Sequence, residues 1–260
     1  MNILIKNGRI LDPKNNRDEI GDIFIRDGII ADYDGTSQYE TVDADGLWVV
    51  PGLIDLHTHL REPGFLHKET IRTGTEAAAA GGFTSVCCMP NTNPVVDNEI
   101  LVEYVRLISS REAKVNVFPI GAVTKGQNGT ELANIAGMAK AGACALSEDG
   151  KSVANAAVLK SAMKYASMFD LPVFSHCEDA SLAGTGQMNA GTAAELLGLA
   201  GISNDSEDVI IARDIILAKA AGIRLHICHI STAGGVFAVE TAQKLGLPVT
   251  AEVTPHHFTL

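Results

Sequence analysis

The pattern of apolar and polar positions changes near residue 50. Before that point, short runs rich in Ile and Val cover residues 3–5, 23–25 and 48–50. Turn dipeptides separate them: Asn7-Gly8, Asp27-Gly28, Asp34-Gly35 and Asp45-Gly46. Asn-Gly and Asp-Gly between apolar runs indicate β-hairpins, because these residues tolerate positive φ. The pattern therefore predicts a small antiparallel β unit over residues 1–50.

From residue 50 onward, short apolar runs alternate with stretches of helical spacing. The apolar runs cover residues 49–56, 83–88, 115–120, 143–146, 172–176, 224–230 and 248–253. The helix-like stretches cover residues 68–80, 97–110, 130–140, 153–168, 207–221 and 234–245. Apolar strands that alternate with helices are typical of the α/β class, in which helices cover a parallel sheet.

Two architectures fit this alternation. One is a (β/α)8 TIM-type barrel, of which residues 51–260 carry about seven strands where a closed barrel needs eight. The other is an open doubly wound sheet. The chain has no GxGxxG or GxxxxGK[ST] motif after an early strand, which weakens the second architecture.

Composition excludes several classes of partner. The chain has 31 acidic and 20 basic residues, a net charge of −11, and no run of Lys and Arg. Nucleic acid and anionic membranes both require a concentrated basic surface, so neither partner is expected. The sequence has neither the pattern of a signal peptide nor an apolar stretch long enough for a membrane span. The five cysteines lie in apolar runs and are predicted to be reduced core thiols of a cytoplasmic protein.

The most informative motif is His57-Thr58-His59, at the end of the first barrel strand. Side chains alternate along a strand, so His57 and His59 project to the same side. Two imidazoles at this spacing can hold one metal ion, and barrel enzymes place their sites at this end of the strands. A pair of core histidines is the alternative, and further candidates at other strand ends make it less favourable.

Three more strands end in polar residues that suit a metal site. His176 ends the fifth apolar run and His229 ends the sixth. His226 lies three residues before His229 and is predicted to face the helix layer instead. The fourth run leads into Glu148-Asp149, and either carboxylate could bridge two metal ions, although a solvated turn is the alternative.

The segment Val50-Pro51-Gly52-Leu53-Ile54-Asp55-Leu56-His57-Thr58-His59 resembles the opening signature of the amidohydrolase superfamily. The segments 60–64, 67–70 and 87–94 narrow the resemblance to bacterial dihydroorotases of the class I type. Further matching segments cover 188–191, 213–214, 229–232 and 252–257, so the resemblance runs along the whole chain. It implies the metal-dependent hydrolase barrel over residues 51–260 and part of a β-sandwich domain over residues 1–50.

The resemblance also implies a reaction and a metal centre. The reaction is the reversible hydrolysis of the cyclic amide of dihydroorotate to N-carbamoyl-L-aspartate, the third step of pyrimidine synthesis, by attack of metal-bound hydroxide. The cofactor is one or two Zn²⁺ ions, with Asp149 as the bridging carboxylate. By resemblance, His57 and His59 bind the more buried zinc ion, and His176 and His229 bind the other.

Substrate contacts follow from the same resemblance. His59, Arg61 and Asn91 match positions that bind substrate, and the fork of Arg61 suits a carboxylate; a rim salt bridge with Glu62 or Glu69 is the alternative. The general acid/base aspartate is expected on an eighth strand beyond Leu260. The chain is therefore expected to be a fragment with poor activity alone.

Other functions and partners remain open at this point. Another cyclic amidohydrolase, such as an allantoinase, is one alternative. A non-catalytic dihydroorotase-like subunit that scaffolds aspartate carbamoyltransferase is another, although such proteins typically lose metal-binding histidines. The resemblance further predicts a homodimer and a possible complex with aspartate carbamoyltransferase. His67 fits a helix cap or rim position, and His256 and His257 fit either a substrate loop or packing.

Overall fold

The computed structural model describes residues 2–33, 35 and 38–259, and it divides the chain into two compact units. The first unit extends to Leu53 and the second begins at Ile54. The first unit contains β1 (Asn2–Asp12), β2 (Arg17–Arg26), β3 (Ile29–Ala31), β4 (Glu40–Asp43) and β5 (Trp48–Val49). Strand β2 is antiparallel to β1 and β3, whereas β4 and β5 both run parallel to β1. The sheet is therefore mixed, and the prediction of a purely antiparallel unit was wrong.

The turn dipeptides of this unit have different outcomes. Asp27-Gly28 connects β2 to β3 with φ values of 50° and 81°, so this predicted hairpin is confirmed. Asn7-Gly8 lies inside β1, where the register with β2 shifts between Ile5 and Gly8. The predicted hairpin at Asn7-Gly8 was wrong because a β-bulge can use the same positive φ as a turn.

The other two turn dipeptides are Asp45-Gly46 and Asp34-Gly35. Asp45-Gly46 connects β4 to β5, but both strands pair with β1 rather than with each other. It therefore makes a turn without a hairpin. For Asp34-Gly35, Asp34 lies outside the described residues.

The second unit contains a seven-stranded sheet and a separate two-stranded one. The strands are β6 (Leu53–Thr58), β7 (Phe83–Cys88), β8 (Asn116–Ala122), β9 (Ala145–Ser147), β10 (Val173–Ser175), β11 (Met188–Asn189), β12 (Gly201–Ile202), β13 (Leu225–Ile227) and β14 (Val249–Ala251). The order β14-β13-β10-β9-β8-β7-β6 follows the chain without reversal, and β11 pairs with β12. A doubly wound sheet reverses its strand order, so the predicted partial TIM-type barrel is confirmed and the alternative is excluded.

Helices connect these strands at the positions that the spacing predicted. They are α1 (Ile71–Ala80), α2 (Glu99–Glu112), α3 (Ile135–Ala141), α4 (Ala156–Ser167), α5 (Ala180–Ala183), α6 (Thr192–Leu197), α7 (Asp205–Ala221), α8 (Ala233–Lys244) and α9 (His256–Thr259). Side-chain caps set several starts: Thr70 accepts from Thr73 N before α1, and Asn155 accepts from Val158 N before α4. The short α5, α6 and α9 were not predicted. Among the described residues, none of the helices combines the length and the apolar character required to cross a membrane.

Two apolar layers flank the seven-stranded sheet. The larger layer packs the outer side of the strands against the helices, and Leu146 and Ile227 belong to it. The smaller layer covers the inner side and contains Ile120, Ala145 and Phe174. Neighbouring residues of one strand thus face opposite layers, as Ala145 and Leu146 do. The carboxyl ends of these strands gather the polar residues that form the site.

Candidate metal centre

The first histidine pair lies at the end of β6. The rings of His57 and His59 project together, with centroids 5.2 Å apart, because the two residues are two positions apart on the chain. Asp55, on the same side of the strand, accepts a 2.9 Å hydrogen bond from the backbone N–H of His57. The expected convergence of His57 and His59 is therefore present in the structure.

Asp149 lies directly against this pair. Its Oδ1 is 3.0 Å from Nε2 of His57, and its Oδ2 is 3.6 Å from Nε2 of His59. The side chain of Asp149 is only 5% exposed. Burial opposes the charged form, but the hydrogen bond from His57 and the nearby charges hold the pKa of Asp149 below its ordinary value. Asp149 is thus an ionised carboxylate whose two oxygens face two different imidazoles.

His176 and His229 form the second histidine pair. Nδ1 of His176 is 3.0 Å from Nε2 of His229, and the ring of His229 also lies 5.3 Å from that of His57. Burial, with the neighbouring His176 and His57, lowers the pKa of His229 to about 4. His229 is therefore neutral at pH 7, which is the form that binds a metal ion.

The donor atoms of these residues fit a metal ion. Among the described residues, ligand atoms of His57, Asp149 and His229 all lie within 4.8 Å of one another. Imidazole nitrogen and carboxylate oxygen are ligands that zinc and neighbouring transition metals accept. His59 and His176 flank this group, so the structure brings together all five residues that the resemblance named as ligands.

Glu148, the other carboxylate of the fourth strand end, points elsewhere. It accepts hydrogen bonds from the backbone N–H groups of Val123 and Thr124 and from the hydroxyl of Thr124. Burial raises the pKa of Glu148 above its ordinary value. These contacts leave Asp149 as the carboxylate of the centre and give Glu148 a role in holding the loop after β8.

Glu252 was not among the residues predicted from the sequence to form this site. Glu252 follows β14, and its Oε1 lies 2.6 Å from Nδ1 of His57. Ligand atoms of His57, Cys228 and Glu252 also lie within 4.8 Å of one another. The available signal was the one that identified the other strand ends, namely an acidic residue directly after an apolar run. Burial opposes the charge of His57, but hydrogen bonds with Asp149, Cys228 and Glu252 raise the pKa of His57 to about 12.

His226 lies on the inner side of the sheet, which corrects the prediction that it faces the helix layer. Its ring packs 4.8 Å from that of Phe174, and its Nε2 is 3.1 Å from Oε2 of Glu252. The prediction assumed regular alternation up to His229, but the backbone of His229 has a φ of 36°. This irregularity lets residues three positions apart face the same side.

Arg61 and Asn91 lie on neighbouring loops beside the centre. Asn91 Oδ1 is 3.0 Å from Nδ1 of His59, and Asn91 Nδ2 donates a 2.7 Å hydrogen bond to Asp149. Within the described part of the chain, the guanidinium of Arg61 makes no hydrogen bond or ion pair. The structure thus places Asn91 among the predicted ligands and leaves Arg61 available to a ligand.

The alternative partners of Arg61 are engaged elsewhere. Glu62 accepts a 3.0 Å hydrogen bond from the backbone N–H of Ile71, and Glu69 accepts one of 2.5 Å from the hydroxyl of Thr73. The structure therefore contains no rim salt bridge between Arg61 and either carboxylate.

A cavity of about 360 Å³ opens beside the second histidine pair. His176 and His229 line it, together with His256 and His257 after β14. His256 is 3.0 Å from the hydroxyl of Thr254, and its ring lies 4.8 Å from that of His257. This cavity provides room for a small molecule next to the donor atoms. His67 does not line the cavity; its ring lies 6.5 Å from that of Phe65.

Solved structures of similar fold include hydantoinases. L-hydantoinase (dihydropyrimidinase) from Arthrobacter aurescens superposes with a TM-score of 0.83 at 22% identity, covering 99% of this chain and 59% of the other. A D-hydantoinase superposes with a TM-score of 0.79 at 23% identity, covering 100% and 59%. At this level of identity the likeness supports the fold alone.

Relatives found by sequence similarity identify the family more closely than the shared fold does. The dihydroorotase of Caldanaerobacter subterraneus subsp. tengcongensis is 52% identical over 262 residues, covering 100% of this chain and 61% of the relative. The dihydroorotase of Solibacter usitatus is 52% identical over 263 residues, with the same coverage. The chain thus spans about 61% of the length of these curated relatives. A family model described as dihydro-orotase-like matches residues 46–234, and the chain belongs to this dihydroorotase-like family.

Proposed function

We propose that this chain carries the metal centre of an enzyme that reversibly hydrolyses the cyclic amide of dihydroorotate to N-carbamoyl-L-aspartate. The observation that carries the proposal is the meeting of His57, Asp149 and His229 within 4.8 Å. The guanidinium of Arg61, which has no partner among the described residues, lies on the loop that directly follows the His57–His59 motif. A metal centre next to a free cation suits a cyclic amide that carries a carboxylate.

The proposed cofactor is Zn²⁺, one or two ions for each chain. His57, Asp149 and His229 would hold it, with His59 and His176 beside them, because their donors are those that zinc accepts. A bound zinc ion would supply a Lewis acid that activates water and polarises the amide carbonyl. The proposed bridging role of Asp149 is supported by its position, because its carboxylate lies within 4.8 Å of ligand atoms of His57 and of His229, one histidine from each pair.

Residues of the chain prepare the site for this chemistry. The low pKa of His229, about 4, keeps that imidazole neutral, so no proton has to leave before it can act as a ligand. Asn91 holds Asp149 and His59 in fixed relation through contacts of 2.7 Å and 3.0 Å. Arg61 would orient the substrate by a two-point contact with its carboxylate.

Arg61 also favours dihydroorotate over the other cyclic amides. Allantoin and simple dihydropyrimidines carry no carboxylate, so they would leave the guanidinium without a partner. The scaffold alternative receives less support, because all four histidines of the predicted centre are present and converge. A homodimer, a complex with aspartate carbamoyltransferase and a place in the cytoplasm are further proposals, supported by the family alone.

The test combines metal content with hydrolysis. Purified chain is loaded with zinc, washed and analysed for metal, and the Asp149→Asn variant is compared with Asp170→Asn. Asp170 has a side chain that is 92% exposed, so its variant controls for the loss of one charge. We expect one or two zinc ions in the wild type and in Asp170→Asn, and at most a small fraction in Asp149→Asn.

Hydrolysis of dihydroorotate, allantoin and dihydrouracil is then measured on the same samples. Because the chain spans about 61% of the length of its relatives, a version extended to their length is assayed beside it. We expect the extended protein to turn over dihydroorotate in preference to the other two. Preference for allantoin, or zinc binding without hydrolysis of any substrate in the extended protein, would contradict the proposal.

A further inference from the structure

Glu252 forms a link between two histidines on different strands. Its Oε1 lies 2.6 Å from Nδ1 of His57, at the end of β6, and its Oε2 lies 3.1 Å from Nε2 of His226, on β13. The Glu252 side chain is 19% exposed, so little water competes for these contacts. One carboxylate thus contacts both rings.

The backbone fixes Glu252 in this position. Its N–H donates a 3.0 Å hydrogen bond to the carbonyl of Ile227, and its carbonyl accepts one of 2.9 Å from Ile230. His226 is itself restrained, because its Nδ1 is 2.8 Å from the hydroxyl of Thr250 and its ring packs on Phe174. The carboxylate therefore approaches His57 from a rigid support.

The opposite side of the His57 ring faces the candidate metal centre. Nε2 of His57 is 3.0 Å from Asp149, whereas Nδ1 points to Glu252. A carboxylate at Nδ1 holds a proton there, so Nε2 is the nitrogen that a metal ion can bind, in place of the proton that Nε2 donates to Asp149. The two ring nitrogens of His57 therefore have different partners and different tasks.

We propose that Glu252 is a positioning residue that holds His57 in the tautomer with its proton on Nδ1, so that Nε2 faces the metal centre. The inference rests on the proposed function, since it requires that His57 binds a metal ion. The ring of His226 lies against the second oxygen of Glu252, as a 3.1 Å contact without hydrogen-bond geometry, and limits the movement of the carboxylate beside His57. Glu252 itself is not a ligand in this arrangement.

Two variants of Glu252 separate its charge from its acceptor oxygen. Glu252→Ala removes both, and Glu252→Gln keeps an oxygen that can accept from Nδ1–H. Glu240→Gln is the control, because Glu240 lies on the exposed face of α8 and pairs with Lys244. Circular dichroism shows whether each variant folds, and if Glu252→Ala does not, Glu252→Gln decides.

The first readout is zinc affinity, measured by competition with a chelating dye. We expect Glu252→Ala to bind zinc about 10- to 100-fold more weakly than the wild type. Glu252→Gln should fall between the two, and Glu240→Gln should match the wild type. Loss of stability at unchanged zinc affinity would indicate a merely structural role and would overturn the proposal.

The second readout is the tautomer of His57, from nitrogen-15 NMR, with the signal assigned by its loss in His57→Gln. The zinc-loaded wild type should carry the proton on Nδ1, and Glu252→Ala should lose this preference. Zinc binding and an Nδ1 tautomer that persist in Glu252→Ala would overturn the role of Glu252 while leaving the proposed function intact. A wild type that binds no zinc would instead overturn the proposed function, and this inference with it.

Discussion

Asn91 donates a hydrogen bond of 2.7 Å from Nδ2 to Oδ2 of Asp149, and its Oδ1 lies 3.0 Å from Nδ1 of His59. An amide is the side chain that suits this place, because it donates to the carboxylate and accepts from the imidazole at once. Asn91 therefore connects two residues of the candidate centre that lie on different strand ends.

Replacement of Asn91 by Ala should weaken metal binding as well as substrate binding. Asp149 and His59 each lose a partner, and such supporting contacts typically change metal affinity by about 10-fold or more. Zinc affinity of Asn91→Ala, measured by chelator competition, is expected to fall by about that factor. An affinity equal to that of the wild type would show that Asn91 acts on substrate alone.

Replacement of Arg61 should affect substrate binding without affecting the metal. Arg61→Met removes a charged hydrogen-bonding partner, which is worth about 1.5–3 kcal/mol, so KM for dihydroorotate should rise about 10- to 100-fold. Arg61→Lys restores the charge but not the planar fork, and its KM should lie between the two. Steady-state kinetics of the extended protein, with metal analysis of each sample, checks both points. A lower zinc content in Arg61→Met would contradict the separation of roles.

Gly64 lies where the loop of Arg61 touches the loop of Asn91. The backbone of Gly64 has a φ of 91°, and a Cβ built there would lie 1.9 Å from the carbonyl oxygen of Asn93. Gly64→Ala therefore forces the two loops apart. Such overpacking costs about 1–3 kcal/mol in addition to the cost of the positive φ, and urea denaturation should detect it.

Gly82 provides the matched control for this substitution. It has a similar φ of 82°, but a Cβ there meets nothing within 4 Å. Gly82→Ala should cost only about 1–2 kcal/mol for the backbone conformation. The displaced loops in Gly64→Ala should also lower kcat/KM, by on the order of 10- to 100-fold, while Gly82→Ala leaves it unchanged. Equal behaviour of the two variants would show that the loop contact is not needed.

The buried carboxyl group of Asp214 should make the stability of the protein depend on pH. It is buried on α7, accepts a 2.5 Å hydrogen bond from Ser175, and pairs with Arg213 at 2.7 Å. Burial raises the pKa of Asp214 above its ordinary value of 3.8, against the opposing effects of Arg213 and Ser175. The folded state therefore binds this proton more tightly than the unfolded state does.

The raised pKa of Asp214 in the folded state determines whether stability rises or falls with pH. The stabilising contribution of the Asp214 proton is complete below pH 3.8 and decreases as pH rises towards the raised pKa of the folded state. Urea denaturation from pH 3 to pH 7 should show the free energy of unfolding of the wild type decreasing relative to that of Asp214→Asn. Asp170→Asn, at an exposed ion pair, should stay within about 1 kcal/mol of the wild type throughout. A difference that grows in the opposite direction would contradict the raised pKa.

The strand order of the larger unit could be predicted from the sequence. The central strands there, such as β9, are short and apolar on both sides, because they lie between an inner and an outer layer, as Ala145 and Leu146 illustrate. Such runs stand out against the helices that follow them. The small unit was harder, because Asn7-Gly8 serves a bulge inside β1 while the same kind of dipeptide at Asp27-Gly28 makes a hairpin. Local sequence does not separate these two uses of positive φ.

The candidate site was predictable where a strand stays regular to its end. His57 and His59 follow strict alternation, so their common direction could be inferred from spacing. His226 could not be placed in this way, because the positive φ of His229 breaks the alternation after β13. The role of Glu252 could not be predicted from the sequence, because its partner His57 lies 195 positions earlier in the chain and only the folded sheet brings the two together. Metal binding itself stays a prediction.

That separation of 195 positions also bears on how the centre forms during folding. Its five predicted ligands come from the ends of four strands, β6, β9, β10 and β13, and no two neighbouring elements bring a complete set together. We expect contacts of such long sequence separation to form late, because the loop-closure entropy between the strands has to be overcome first. Binding of a metal ion by this chain would therefore indicate that the strands have all taken their native positions. It would not follow from the formation of any single local segment. Partly folded chains, which retain helices but not the full strand order, would be expected to leave the ion in solution.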